Sequence, residues 1–127
     1  MKKLIYALIL LIYLSFQMFC PARSSADDKY SNCQNIMNKI KDGAFLVDVR
    51  TKEEFDSGSL SGSINVPYDQ IEINLNQFSL DKNKEIFLYC KSGRRSELGK
   101  QSLAKLGYIN VINAGSYDEL LKCRKNK

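Results

Sequence analysis

Cys90 stands between an apolar run, Glu85-Ile86-Phe87-Leu88-Tyr89, and a short polar segment, Lys91-Ser92-Gly93-Arg94-Arg95, after which a helical pattern starts at Ser96. A thiol at the carboxyl end of a strand, facing a loop that feeds a helix N-terminus, meets backbone N–H groups and a helix dipole that favour an anion. Lys91, Arg94 and Arg95 add three cations to the same loop. A cysteine without context usually packs as a small hydrophobe, whereas reactive cysteines sit in electropositive, partly exposed surroundings. The setting of Cys90 is of the second kind and predicts a partly exposed thiolate. Histidine is absent from the chain. That excludes a Cys-His pair, a Ser-His-Asp triad and any zinc site containing histidine. Cys20, Cys33, Cys90 and Cys123 have none of the close spacing of a Cys-x-x-Cys redox site or zinc ribbon. A nucleophile in this protein must therefore be activated by local electrostatics, and Cys90 is the cysteine so placed.

The elements that position Cys90 are legible in the pattern. A polar linker over 27–31 leads into a helix over about 32–41, where Ile36, Met37 and Ile40 fall at helical spacing and Asp42-Gly43 stops the run. Ala44 to Val49 reads as a buried strand interrupted by Asp48. Thr51 with Glu54 three residues on fits a capping box, so a short helix should run from there to about Gly58. A brief strand over Ile64 to Val66, a short helix around Ile71 to Gln77 and a buried strand over Ile86 to Tyr89 follow. A helix over 96–106 ends at Gly107, then come a strand at Val111-Ile112 and a helix over Tyr117 to Cys123. Strands alternating with helices predict one α/β domain over 32–125, with a mainly parallel central sheet, helices on both faces, and the ligand site at the carboxyl ends of the strands.

The first 26 residues read as a leader. Lys2-Lys3 is a basic start, Leu4 to Leu14 an apolar core, and Ser24-Ser25-Ala26 the small residues a signal peptidase reads, so cleavage is expected after Ala26. The expected destination is the periplasm or the extracellular space. Two alternatives keep the domain outside the cytoplasm as well. The apolar stretch extends to Cys20 and could stay as an uncleaved membrane anchor; Cys20 could carry a lipid, although Gln17-Met18-Phe19 lacks the small residues that signal needs. Losing Lys2, Lys3 and Arg23 with the leader reduces the formal net charge from +5 to +2. The remaining basic residues concentrate after Cys90, a pattern that attracts small anions or merely solvates a helix face. Only Tyr108 and Tyr117 accompany them as aromatics, so nucleic acid is not an expected partner.

The stretch Cys90-Lys91-Ser92-Gly93-Arg94-Arg95-Ser96 resembles the active loop Cys-x-x-Gly-x-Arg-Ser of the rhodanese family of sulfurtransferases. The resemblance extends to Leu46-Val47-Asp48-Val49-Arg50-Thr51-Lys52-Glu53-Glu54-Phe55, similar to the family's opening strand, Asp-x-Arg turn and Glu-Glu-Phe helix. It continues through Gly62-Ser63-Ile64-Asn65-Val66-Pro67, Leu106-Gly107-Tyr108 and Val111-Ile112-Asn113-Ala114-Gly115. Ser59-Leu60 and Ser116 depart from the family's usual His-Ile and second glycine. The resemblance implies a three-layer rhodanese-like domain and an enzyme that needs no cofactor or metal. It implies a Cys90 persulfide formed from a small anionic donor such as thiosulfate and discharged to a thiol or cyanide. The backbone of Lys91, Ser92, Gly93, Arg94, Arg95 and Ser96 would cradle the sulfur, with Gly93 allowing the curl. Arg95 would bind the donor's sulfonate or brace the loop, and Asp48 and Arg50 would support the site structurally, with Asp48 bonded to loop backbone or to an arginine.

Two other readings compete. A sulfur-relay module with a dedicated protein donor or acceptor would carry the same loop. A dual-specificity-type phosphatase or arsenate reductase needs five residues between cysteine and arginine, whereas four separate Cys90 from Arg95 and Ser96 stands at the longer spacing. Export would place Cys33, Cys90 and Cys123 in an oxidising compartment, and chain termini of single domains often lie close together. A Cys33–Cys123 disulfide that leaves Cys90 free is therefore expected, against the alternative of two small hydrophobes on separate helices.

Overall fold

The computed structural model describes residues 1–16 and 25–126. In chain order these form α1 (Lys2–Phe16), α2 (Ser25–Lys41), β1 (Phe45–Asp48), α3 (Lys52–Asp56) and β2 (Ile64–Asn65). Next come α4 (Ile71–Asn74), flanked by 3-10 turns at Tyr68–Gln70 and Leu75–Phe78, then β3 (Ile86–Cys90), α5 (Arg94–Lys105), β4 (Val111–Ser116) and α6 (Tyr117–Lys125). The four strands lie in the order β2-β1-β3-β4, and every neighbouring pair is parallel. Parallel strands need crossover connections, and the helices between them supply those and cover both faces of the sheet.

Strand alternation sorts the core into two layers. Val47, Val49, Ile86, Leu88 and Cys90 face one side, where Ile71, Leu75 and Leu103 pack on them. Leu46, Phe87 and Tyr89 face the other, against Ile36 and Met37 of α2 and Leu120 and Cys123 of α6. Each large apolar side chain so buried stabilises the fold by roughly 1.5–3 kcal/mol. Gly99 lets α5 approach the sheet: a Cβ there would stand 3.2 Å from Leu88 Cδ1 and 3.4 Å from Ile71 Cδ1.

Several elements differ from the sequence reading. The expected linker over 27–31 is helical, because α2 begins at Ser25. The segment expected as one short helix is a single α-turn between two 3-10 turns. α5 begins at Arg94 rather than Ser96, since Gly93 at φ +91° takes the N-cap position. β4 extends through Asn113-Ala114-Gly115 to Ser116 because pairing with β3 overrides the weak strand propensity of those residues.

The apolar stretch near the start of the chain forms α1, whose Leu4, Ile5, Leu8, Ile9, Leu10, Leu11 and Ile12 are exposed. Among the described residues no helix is long and apolar enough to cross a membrane. Cys20 and Ser24 lie outside the described residues.

Cys33 and Cys123 are joined by a disulfide, with Cα atoms 6.3 Å apart, and it ties α2 to α6 across a separation of 90 residues. Closing so long a loop restricts the unfolded chain, and removing the bridge by Cys33→Ser with Cys123→Ser is expected to lower stability by about 2–4 kcal/mol in urea unfolding. Thiol titration of the chain from Asp27 onward, denatured without reductant, is expected to find Cys90 alone. Three free thiols would contradict the bridge.

Candidate active site

β3 ends on Cys90, and the chain turns at once into the Lys91–Gly93 loop and the first turn of α5. Gly93 reaches the positive φ that the turn requires, and its N–H donates to Cys90 Sγ at 2.9 Å. The expectation of a partly exposed thiol is not met, since Cys90 is fully buried. Its position on β3 points it to the same face as Ile86 and Leu88, beneath the loop. Burial is the largest single influence on the thiol and pushes its pKa up. The Ser96 hydroxyl and the N–H groups of Ser96, Ser92 and Gly93 together outweigh it, so the pKa lies below the ordinary thiol value. Ser96 Oγ is itself buried and has no hydrogen-bond partner in full geometry.

Arg95 takes the bracing role rather than standing free for a donor. Its Nη1 donates to Glu54 Oε2 at 2.6 Å and its Nη2 to Glu54 Oε1 at 2.9 Å, a bidentate pair between α5 and α3. Glu54 is fixed in turn by the capping box of α3, where Thr51 N–H donates to Oε2 at 2.9 Å and Thr51 Oγ1 accepts from Glu54 N–H. Arg95 holds its own charge more firmly, first through the hydrogen bond to Glu54, and also feels the Cys90 sulfur. Lys91, Ser92 and Arg94 are exposed, and among the described residues Lys91 and Arg94 enter no ion pair.

Asp48 and Arg50 form the floor beside the loop. Asp48 Oδ1 accepts from Arg50 N–H and Nε at 2.9 Å each, and Oδ2 accepts from Arg50 Nη2 at 2.6 Å. Asp48 is fully buried and Arg50 6% exposed, a pairing that offsets the cost of burying each charge. Arg50 Nη2 also donates to the Gly58 carbonyl at 2.7 Å, and its guanidinium lies 4.3 Å from the Tyr117 ring centre. Tyr89 completes this layer. Its hydroxyl accepts from Leu60 N–H and meets Ser63 Oγ, both at 3.0 Å, and burial pushes its pKa up to about 12. Of the two partners expected for Asp48, loop backbone or an arginine, the structure supplies the arginine, Arg50.

A family model for the rhodanese-like domain matches residues 32–123. The chain belongs to the rhodanese-like domain family. It is 32% identical over 74 residues to the thiosulfate sulfurtransferase PspE of Escherichia coli, spanning 58% of this chain and 71% of that protein. It is likewise 32% identical over 92 residues to the human thiosulfate:glutathione sulfurtransferase, spanning 62% of this chain and 80% of the relative. An E. coli rhodanese solved with anions superposes with a TM-score of 0.58 at 31% identity, covering 61% of this chain and 91% of that one. Such homologues support sulfurtransferase or sulfur-carrier activity.

Three contributors to this rhodanese-like domain escaped the sequence reading as parts of the site. Glu54 was legible only as a capping residue. Asn113 donates through Nδ2 to the Gly93 carbonyl at 2.9 Å and accepts from Gly115 N–H at 3.0 Å, so β4 braces the loop. Asn113 pairs with Leu88, and the register shift that follows skips Ala114 and sets Gly115 opposite Tyr89. The Tyr89–Tyr117 stack over Arg50 is the third. The motif Val111-Ile112-Asn113-Ala114-Gly115 held the signal for Asn113, but only the fold supplies its partner.

The Glu54–Arg95 pair has an acid limit. The Arg95 hydrogen bond, opposed by burial and helped by the Thr51 N–H, lowers the Glu54 pKa from 4.5 to about 2. A depressed carboxyl stabilises the fold fully above its unfolded value and loses that contribution as the pH falls from about 4.5 toward 2. Urea unfolding of wild type and Glu54→Gln is expected to differ near neutral pH and to converge across that window.

Proposed function

We propose that this protein is an exported sulfurtransferase that moves sulfane sulfur through a persulfide on Cys90. The observation that carries the reading is a buried Cys90 thiol at the end of β3 that accepts the Gly93 N–H at 2.9 Å, in a chain with no histidine to act as a base. The Cys90 thiolate attacks the outer sulfur of a donor such as thiosulfate. A new S–S bond forms to Cys90, the donor's S–S bond breaks, and sulfite leaves with the electron pair. An acceptor thiolate or cyanide then attacks the outer sulfur of the persulfide, taking it as a persulfide or thiocyanate, and Cys90 departs as the thiolate. The loop N–H groups hold negative sulfur before and after each step, so nothing has to be reorganised to receive the charge. The added sulfur extends the side chain by about 2 Å, which offers the transferable atom nearer to solvent than the buried Sγ.

The relatives' thiosulfate and glutathione chemistry supports a small donor and a thiol acceptor. Export is part of the proposal, on the basic and apolar start of the chain and on the Cys33–Cys123 bridge, which an oxidising compartment preserves. Burial of Cys90 also favours a second reading, a relay that exchanges sulfur with a protein partner and turns over small donors poorly. A steady-state assay with thiosulfate and cyanide tests both. Rapid turnover is expected for the enzyme; a Cys90 persulfide that discharges only to a protein would favour the relay, and no persulfide at all would refute both.

A further inference from the structure

We propose that Glu54 is a positioning residue that selects among sulfur donors: it keeps the Arg95 guanidinium engaged as a loop brace, leaves donor anions to Lys91 and Arg94, and disfavours dianions relative to monoanions. The proposal rests on the sulfurtransferase reading. Both Glu54 carboxylate oxygens bond to Arg95, at 2.6 and 2.9 Å, and Oε2 also accepts from Thr51 N–H. A carboxylate anchored to the start of α3 cannot follow Arg95 if that side chain swings toward a ligand. Of the three loop cations, the one that interacts with the Cys90 sulfur is thus neutralised, while Lys91 and Arg94 are exposed and enter no ion pair among the described residues. A sulfonate bound bidentately to the Nη1–Nη2 edge of Arg95 would have to displace Glu54, which already occupies that edge. What remains at the mouth of the loop is diffuse positive charge, adequate for a donor carrying one negative charge, such as a thiosulfonate or an alkyl persulfide. It serves thiosulfate less well, because the second charge of a dianion meets no dedicated partner.

Glu54→Gln tests this without dismantling α3, since glutamine also completes a capping box. With cyanide as acceptor, the variant should lower KM for thiosulfate, a dianion, by about three-fold or more, as expected for one charge removed near the surface, and change KM for benzenethiosulfonate, a monoanion, less. A second readout needs no sulfur transfer. The rate of Cys90 alkylation by anionic iodoacetate relative to neutral iodoacetamide should rise in Glu54→Gln, and should not rise when the same change is made in an Arg95→Gln background. An unchanged alkylation ratio overturns the proposal. So does an equal rise in the Arg95→Gln background, which would mean that Glu54 acts through its own field. A shifted ratio in a protein that takes sulfur from neither donor would overturn the sulfurtransferase reading while upholding the hold of Glu54 on Arg95.

Discussion

Cys90→Ser is expected to abolish sulfur transfer from thiosulfate while leaving the fold intact. A serine hydroxyl ionises far less readily than a thiol, and a chain without histidine has no neighbouring imidazole to take its proton. The cradle works by favouring an anion that sulfur forms readily and oxygen does not. Stability should change by about 1 kcal/mol or less, because Oγ at the same site can accept the Gly93 N–H that now bonds to Sγ at 2.9 Å. Mass spectrometry of wild type after thiosulfate treatment should show one added sulfur on the Cys90 peptide, and none on the serine variant. Transfer that survives in Cys90→Ser would remove Cys90 from the mechanism.

Asp48→Ala should be the most damaging single change to stability, at about 3–5 kcal/mol, because it leaves the guanidinium of Arg50 buried without its counter-charge. Arg50 is 6% exposed and draws three side-chain or backbone hydrogen bonds to Asp48 within 2.9 Å. Losing them also loosens the Gly58 carbonyl and the stack under Tyr117. Replacing Asp48 and Arg50 together by apolar residues should cost less than Asp48→Ala alone, since no unpaired charge remains. Urea unfolding measures both. Sulfur transfer per folded molecule should persist in Asp48→Ala at low temperature; its loss in a folded sample would give Asp48 a part in the chemistry.

Features that depend on neighbours in the chain were legible before any coordinates. The Cys90-to-Ser96 loop at the carboxyl end of a buried strand and the Thr51 and Glu54 capping box are both short-range. The cost of burying a lone carboxylate left Asp48 to bond either loop backbone or an arginine, and the fold gives it Arg50, two residues on. The family motifs extended this to the order of elements. Helix and strand ends were less legible: β4 runs to Ser116 only because β3 pairs with it across a register shift, and α5 starts at Arg94 because Gly93 adopts a positive φ.

Tertiary structure alone decided what each charged or polar group at the site does. Arg95 looks equally suited to a donor or a brace until α3 brings Glu54 to it across 41 residues, and Asn113 has no task until β4 brings it to the Gly93 carbonyl, 20 residues away. Cys90 reads as partly exposed in a polar loop, yet it is buried in one cluster with Ile71, Leu75 and Leu103 from distant elements. The physical reason is common to all three. Local propensity and spacing act through the backbone of adjacent residues, whereas the partner of a charge and the depth of a side chain depend on which distant elements the folded sheet brings within hydrogen-bond reach.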